Sequence, residues 1–288
     1  MKRLVVNADD FGADEGRNEG IFEALQAGVV TSLSILPNGP ASKEGLEGLR
    51  RLTRREVSIG VHLNLSEGQP LSKPSPKLLT GEEGNFLGKA QTHQLLMQAG
   101  NPRLEMEIER EMAAQLEALL QAGVRISHLD GHQHVHVFPA ARRALCRMVR
   151  EFTIPWVRIP EEAPFPLGSL SIPKDLIDEA QAFSRMAKEA REVLRETGAR
   201  AVDHFRGLYL KGVLKLSLLI QTIEDLPDGL TELMVHPGRG MGRDESNPFS
   251  RFSTPDREEE LHALLHPDFR QALKHSAVRL IPFPEVGD

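Results

Sequence analysis

Apolar residues along this chain fall into short runs separated by stretches of helical spacing. Leu4 to Ala8 is the first run and reads as a buried strand, ending in Asn7-Ala-Asp-Asp-Phe-Gly12. Ile21, Phe22, Leu25 and Val29 then recur at helical intervals, with Gly28 marking that helix's end. Ser32 to Leu36 predicts a second strand, stopped by Pro37-Asn-Gly-Pro40. Leu46, Leu49 and Leu52 predict a helix, and Val57 to His62 a third strand. Between Ser66 and about Gly100 the periodicity lapses among Pro70, Pro74, Pro76, Gly81, Gly84 and Gly88. So long an irregular stretch is expected to be an insertion, 66–100, covering a site. Leu104 to Leu120 is amphipathic, through Met106, Ile108, Met112, Leu116, Leu119 and Leu120, and Gly123 closes it.

The alternation continues to the end. Arg125 to Asp130 predicts a fourth strand, 140–152 a helix, and Trp156 to Ile159 a fifth strand between Pro155 and Pro160. A helix over 174–197, a weak strand over 201–205 and a helix over 213–223 follow. Thr231 to His236 predicts the seventh strand, 257–275 one last helix, and Val278 to Ile281 a terminal strand. Strand–helix alternation of this kind predicts an α/β fold with a parallel sheet. A single domain over 1–288, a distorted (β/α) barrel of about seven parallel strands, is the expected architecture. An open doubly wound sheet is the alternative. No Gly-x-Gly-x-x-Gly follows the first strand and there is no Walker loop, so nucleotide binding has no support.

At 40% hydrophobic and 26% charged residues the composition is that of a globular chain. A net charge of −6 implies no broad attraction to nucleic acid or anionic membrane. Cys146 is the one cysteine, which excludes an internal disulfide and a cysteine-based zinc site. The apolar run after Met1 is too short for a signal-peptide core and nothing later approaches a membrane span. A cytoplasmic protein is the expectation.

The chemistry concentrates where apolar runs stop. In His128-Leu-Asp-Gly-His-Gln-His-Val-His136, side chains competent to bind metal occupy every second position. An extended chain would line them along one face. A solvated strand edge or a hydrogen-bonded histidine cluster is the bland alternative. Asp9 and Asp10 close the first strand, His62 the third, and His236 the seventh; Arg158 lies near the end of the fifth. In a parallel barrel these ends share one face, where the active sites of such barrels sit. Asp10, His62 and His132 make a ligand set for a divalent metal with open positions. Asp9, pointing away from its neighbour on an extended chain, would face the attacking water. A turn with Asp10 as a helix cap, and a core role for His62, are the competing readings.

Asp130 is placed to hold a ligand imidazole in one tautomer, with a plain hydrogen-bonding role as the alternative, and His128, His134 and His136 to support the site or the structure around it. His204 is ambiguous, and His93, His262, His266 and His275 read as surface residues. Gly238, Gly240 and Gly242 with Arg239 and Arg243 read as a polar loop that either contacts substrate or only turns the chain.

Four motifs together resemble the YdjC-like carbohydrate deacetylases, which include chitooligosaccharide deacetylases and are related to the polysaccharide deacetylases. They are Asn7-Ala-Asp-Asp-Phe-Gly12, Gly60-Val-His-Leu-Asn64, the histidine tract and Val235-His-Pro-Gly238. The resemblance implies removal of an N-acetyl group from an acetylated sugar on one divalent ion, Zn²⁺ or Mg²⁺. It carries metal ligation onto Asp10, His62 and His132, the base onto Asp9, and an arginine steadying that base onto Arg158. It also implies a homodimer. The broader relatives keep two metal histidines four apart in one motif; here they come from two motifs, so the chemistry transfers and the spacing does not. His236 is the expected general acid, with a structural histidine before a Pro-Gly turn as the alternative. A metal-dependent phosphoester hydrolase and a non-catalytic sugar-binding protein are the rival functions. Retention of both Asp9 and Asp10 speaks against the latter.

Overall fold

The computed structural model describes residues 1–52, 57–164, 172–240, 247–249 and 254–285. Its centre is strand β1 (Lys2–Phe11), whose Leu4, Val5, Val6 and Ala8 are buried. A strand flanked on both faces must be apolar throughout, which is why no alternation marks this run. β2 (Ser32–Ile35), β3 (Ser58–Leu63), β4 (His128–Gly131) and β5 (Trp156–Val157) extend the sheet on one side of it. β7 (Gly229–Val235) and β6 (His204–Arg206) extend it on the other, so the order is β5-β4-β3-β2-β1-β7-β6 and every pairing is parallel. β8 (Arg279–Leu280) lies beside the start of β1. The sheet curls into a single-domain, incomplete barrel, and a parallel bridge between Trp156 and Arg200 draws its two edges together.

Helices cover the outside, and their ends follow the local chemistry. In α1 (Glu15–Ala27) the Asp14 side chain accepts from the Arg17 N–H, and Gly28 ends the helix at φ 69°. The helix cap near the first strand is therefore Asp14, which leaves Asp10 for other work. α2 (Ser42–Leu49) and α3 (Lys89–Leu96) are short. α4 (Pro102–Gln121) starts with Asn101 accepting from Leu104 N–H and buries Leu104, Ile108, Met112, Leu116 and Leu119. The 66–100 stretch is not irregular throughout, since α3 lies within it, and the polar face of α4 pins its irregular first part. Glu111 accepts from the Leu71 and Ser72 N–H groups, and Glu107 from Leu78 N–H. Backbone groups that no sheet satisfies are thus satisfied by side chains.

α5 (Arg142–Glu151), α6 (Lys174–Leu194) and α7 (Leu216–Glu224) follow in the predicted places. The single last helix expected over 257–275 is two, α8 (Pro255–Leu265) and α9 (Pro267–His275). Pro267 has no N–H to continue the first helix and suits the first turn of the second. The histidine tract also departs from expectation. The strand ends at Gly131, and His132–Val137 forms a tight turn with Gln133 and His134 in left-handed backbone, at φ 51° and 57°. The five polar side chains therefore do not form one row. Among the described residues no helix is long and apolar enough to cross a membrane.

Candidate functional site

Register assembles the base of the site. His62 pairs with Asp130 and Gly60 with His128 across β3 and β4. These four positions share one face, so the His62 ring meets the Asp130 carboxylate, Nδ1 to Oδ1, at 2.7 Å. His128 lies over Gly60, where an added Cβ would come within 2.3 Å of its Nε2. Ser34 ties the row together: it donates to Asp130 Oδ2 at 2.7 Å and lies 3.0 Å from His128 Nε2. It also accepts from Asn7 at 2.8 Å. His128 is thus a buried buttress three hydrogen bonds from His62, through Ser34 and Asp130.

The other ligand-competent groups come from β1 and the turn after β4. Asp10 has φ 65°, a left-handed kink in an otherwise extended strand. Alternation therefore does not separate Asp9 from Asp10, as an extended chain would require. The kink brings both carboxylates towards His62, with Nε2 3.3 Å from Asp10 Oδ1 and 3.9 Å from Asp9 Oδ2. His132 Nδ1 lies 2.8 Å from Asp10 Oδ1. Asp10, His62 and His132 each offer a donor atom within 4.8 Å of the others, and all three are buried. A second trio, Asp9, His62 and Asp130, meets the same distance test. Its carboxylates are already bound to a guanidinium: Arg158 Nη1 and Nη2 donate to Asp9 at 2.6 and 2.7 Å, and Nη2 lies 2.9 Å from Asp130. Asp9 is therefore clamped, with Asn7 donating to its Oδ1 as well.

Charge bookkeeping shows what the first trio asks for. The Nδ1 proton of His62 is engaged by Asp130, which turns the Nε2 lone pair towards carboxylate oxygens. That arrangement is repulsive unless a cation lies between. Burial works to lower the His62 pKa, but Asp130, Asp9 and the hydrogen bonds to Asp10 and Asp130 outweigh it and raise it to about 10. Burial likewise works to raise Asp10, yet His132, His62 and Arg17 hold it well below the usual carboxylate range. A proton is one cation that satisfies the site. Two imidazoles and a carboxylate are also suitable donors for a divalent transition metal.

Around Arg158 three buried carboxylates share one guanidinium. Its Nε donates to Glu232 at 2.7 Å. Burial, with Asp130 and Asp9 nearby, pushes Glu232 up to about 7 despite Arg158. Outside this cluster, burial also pushes Glu162 up to about 7, although Arg206 and the N–H groups of Leu208 and Gly207 oppose it. A raised carboxyl stabilises the fold fully below the ordinary glutamate value of 4.5, and that contribution is lost as pH rises through 7. Conformational stability in urea is expected to decline between about pH 4.5 and 7, by on the order of 1–3 kcal/mol per group. Glu162→Gln should flatten that slope in part; a slope identical to wild type would contradict it.

His236 lines the same cavity of about 90 Å³ as Asp9, Asp10, His62 and His132. Glu260 of α8 accepts its backbone N–H at 2.8 Å and lies 3.9 Å from its Nδ1. Burial and Arg257 lower the His236 pKa, with Glu260 opposing. His136 spans to the Arg158 carbonyl at 3.0 Å and joins the turn to β5. His204 reaches the Asp228 carbonyl, away from the cavity. His93 is not a surface residue: it is half-buried, its ring 4.6 Å from that of Phe138, and burial lowers its pKa to about 4. His262, His266 and His275 are exposed. Arg239 is paired with Glu23 and Glu258, and Gly238 packs against Gly20, so that part of the loop is structural. Gly242 and Arg243 lie outside the described residues.

Several site residues carry no sequence signal. Glu232 and Glu260 sit unremarked within a strand and a helix. Lys89, Glu179, Phe183 and Lys211 reach the cavity from α3, α6 and the segment after β6.

The family model described as YdjC-like protein matches residues 3–275. A carbohydrate deacetylase of Mus musculus is 35% identical over 303 residues, covering 99% of this chain and 94% of its own. A carbohydrate deacetylase of Brevibacillus brevis is 30% identical, covering 99% and 100%. A crystal structure from Enterococcus faecalis V583, described there as a candidate for cellobiose-phosphate cleavage, superposes with a TM-score of 0.76. It is 23% identical and covers 98% of this chain and 97% of its own.

Proposed function

Because the chain belongs to the YdjC-like family, we propose that it is a metal-dependent carbohydrate deacetylase that hydrolyses the N-acetyl group of acetylated oligosaccharides such as chitooligosaccharides. The observation that carries this reading is the meeting of Asp10, His62 and His132 in one buried cavity beside the clamped carboxylate of Asp9. A divalent metal held by that trio would polarise the acetyl carbonyl and make water a better nucleophile. Zn²⁺ or a similar transition ion suits two imidazoles and a carboxylate better than Mg²⁺ does.

The chain's own residues divide the proton transfers. Asp9 takes a proton from the attacking water as its oxygen bonds to the acetyl carbon. Arg158 and Asn7 fill three of the acceptor positions on the Asp9 oxygens and leave Oδ2 one more, on the side of His62. As the C–N bond breaks, His236 supplies the proton that makes the sugar amine a good leaving group. Glu260 beside its ring opposes the burial and Arg257 that lower the His236 pKa. A phosphoester reading would favour a second metal, and Arg158 already occupies the carboxylates of the second trio.

The direct test is acetate release from N,N′-diacetylchitobiose with and without a chelator. Release that stops with chelator and returns with added Zn²⁺ is expected. No acetate from any of a panel of acetylated sugars would favour a non-catalytic sugar-binding protein. Metal affinity of two variants grades the site further. Asp130→Asn should weaken binding by ~10–100-fold, the range for losing an outer partner of a metal-bound imidazole. His132→Ala should lose more than that. Equal affinities in wild type and His132→Ala, measured by titration with a chelating dye, would remove His132 from the ligand set.

A further inference from the structure

His134 combines two unfavourable features. Its backbone is left-handed, φ 57° and ψ 27°, directly after Gln133 at φ 51° and ψ 27°. Non-glycine residues are strained there and persist only where the surrounding structure holds them. Its Nδ1 is also buried with no hydrogen-bond partner among the described residues, so its loss of hydration is not offset within the fold. The other buried rings of the tract each make at least one bond: His128 joins Ser34, His132 faces Asp10, and His136 holds the Arg158 carbonyl through Nε2, though its Nδ1 is unpartnered among the described residues. His134 has none of these bonds. Its ring lines the cavity that contains Asp9 and the metal-competent trio.

The neighbouring wall has the character of a carbohydrate subsite. Phe183 presents its ring 4.8 Å from that of His134, edge to face. Glu179 is held between two lysines, Lys89 at 2.5 Å and Lys211 at 2.9 Å, and all three line the same cavity. Sugars expose C–H faces that pack on aromatic rings and paired hydroxyls that need donors and acceptors together. Specific sites combine an apolar platform with a few fixed polar groups.

We propose that His134 is a substrate-contacting residue whose Nδ1 hydrogen-bonds a hydroxyl of the acetylated sugar ring, in a wall completed by Phe183 and the Lys89–Glu179–Lys211 bridge. This rests on the deacetylase reading for its substrate and adds the residues that select the sugar. The strained turn after β4 then has a use, since it turns His134 into the cavity while His132 meets Asp10.

Steady-state kinetics on N,N′-diacetylchitobiose and calorimetric binding of the same sugar test the assignment. His134→Phe keeps a ring and removes the hydrogen bond. Its KM and Kd should rise by about tenfold, the loss of one neutral hydrogen bond, with kcat within about threefold of wild type. His134→Asn tolerates left-handed backbone and returns an amide near the Nδ1 position, so KM should recover to within about threefold. Lys211→Met, at the cavity mouth, should raise KM several-fold and provides the test should His134→Phe fail to fold. Acetate release with unchanged KM and Kd in His134→Phe and Lys211→Met would overturn the assignment and leave the deacetylase reading intact. A wild type that binds the disaccharide but releases no acetate, with binding weakened in His134→Phe, would overturn the reaction and keep the contact. A wild type that neither binds nor cleaves any acetylated sugar would overturn both.

Discussion

Asp9→Asn is expected to lower turnover of an acetylated sugar by about 10³-fold while leaving the metal content of the purified protein unchanged. The magnitude follows from removing a positioned general base, which typically contributes ~10²–10⁴ in rate. Retention of metal follows from geometry, because the converging donors belong to Asp10, His62 and His132. The substitution is nearly isosteric but not silent in the fold. Arg158 presents two N–H donors to the two Asp9 oxygens, and an asparagine meets one of them with its own NH₂ group. A fall in unfolding temperature should therefore accompany the loss of rate. Elemental analysis beside single-turnover kinetics checks the division of roles. Loss of metal from Asp9→Asn equal to that from His132→Ala would refute it.

Arg158→Met should have the largest effect on stability of any single change in the cluster. It leaves Asp9, Asp130 and Glu232 buried without the cation they share. Removing one partner of a buried ion pair destabilises by about 3–5 kcal/mol. For a chain of this size that lowers the thermal midpoint by roughly 10 °C. Without Arg158 the carboxyls hold protons more tightly, so lowering the pH should restore part of the deficit. Glu232→Gln, which removes one of the three charges, should do the same at neutral pH. Thermal unfolding of the single and double variants measures this, and a single variant as stable as wild type would mean that the guanidinium contributes no net stabilisation.

Much of this site could be read from the amino-acid order because parallel strands bring their C-terminal ends to one face. Asp10, His62, His132, Arg158 and His236 each follow or close an apolar run, and the strand ends collect them. The resemblance implies the Arg158 clamp on Asp9, but the left-handed kink that brings both carboxylates towards His62 has no sequence signal, since it is carried by an aspartate and not by a glycine. The histidine tract misled for a related reason. Period-two spacing implies one face only while the chain stays extended, and this chain turns at Gly131. Glu232 and Glu260 lay beyond reach because burial, not residue type, gives them their significance. The cavity wall from α3 and α6 is a matter of tertiary packing and has no local pattern.

The order in which neighbours of β1 become available has a consequence for biogenesis. β2 pairs with β1 between Asn7 and Phe11 early, but Lys2 to Ala8 pair along the other edge with β7, and Arg3 and Leu4 with β8. Those partners emerge from the ribosome roughly two hundred residues later, at 5–20 residues per second a delay of about ten to forty seconds. For that interval the run Leu4-Val5-Val6 is a sticky, half-dressed edge on the nascent chain. Holdase chaperones should engage the first strand during synthesis, and fragments that stop before β7 should precipitate instead of accumulating as soluble half-barrels.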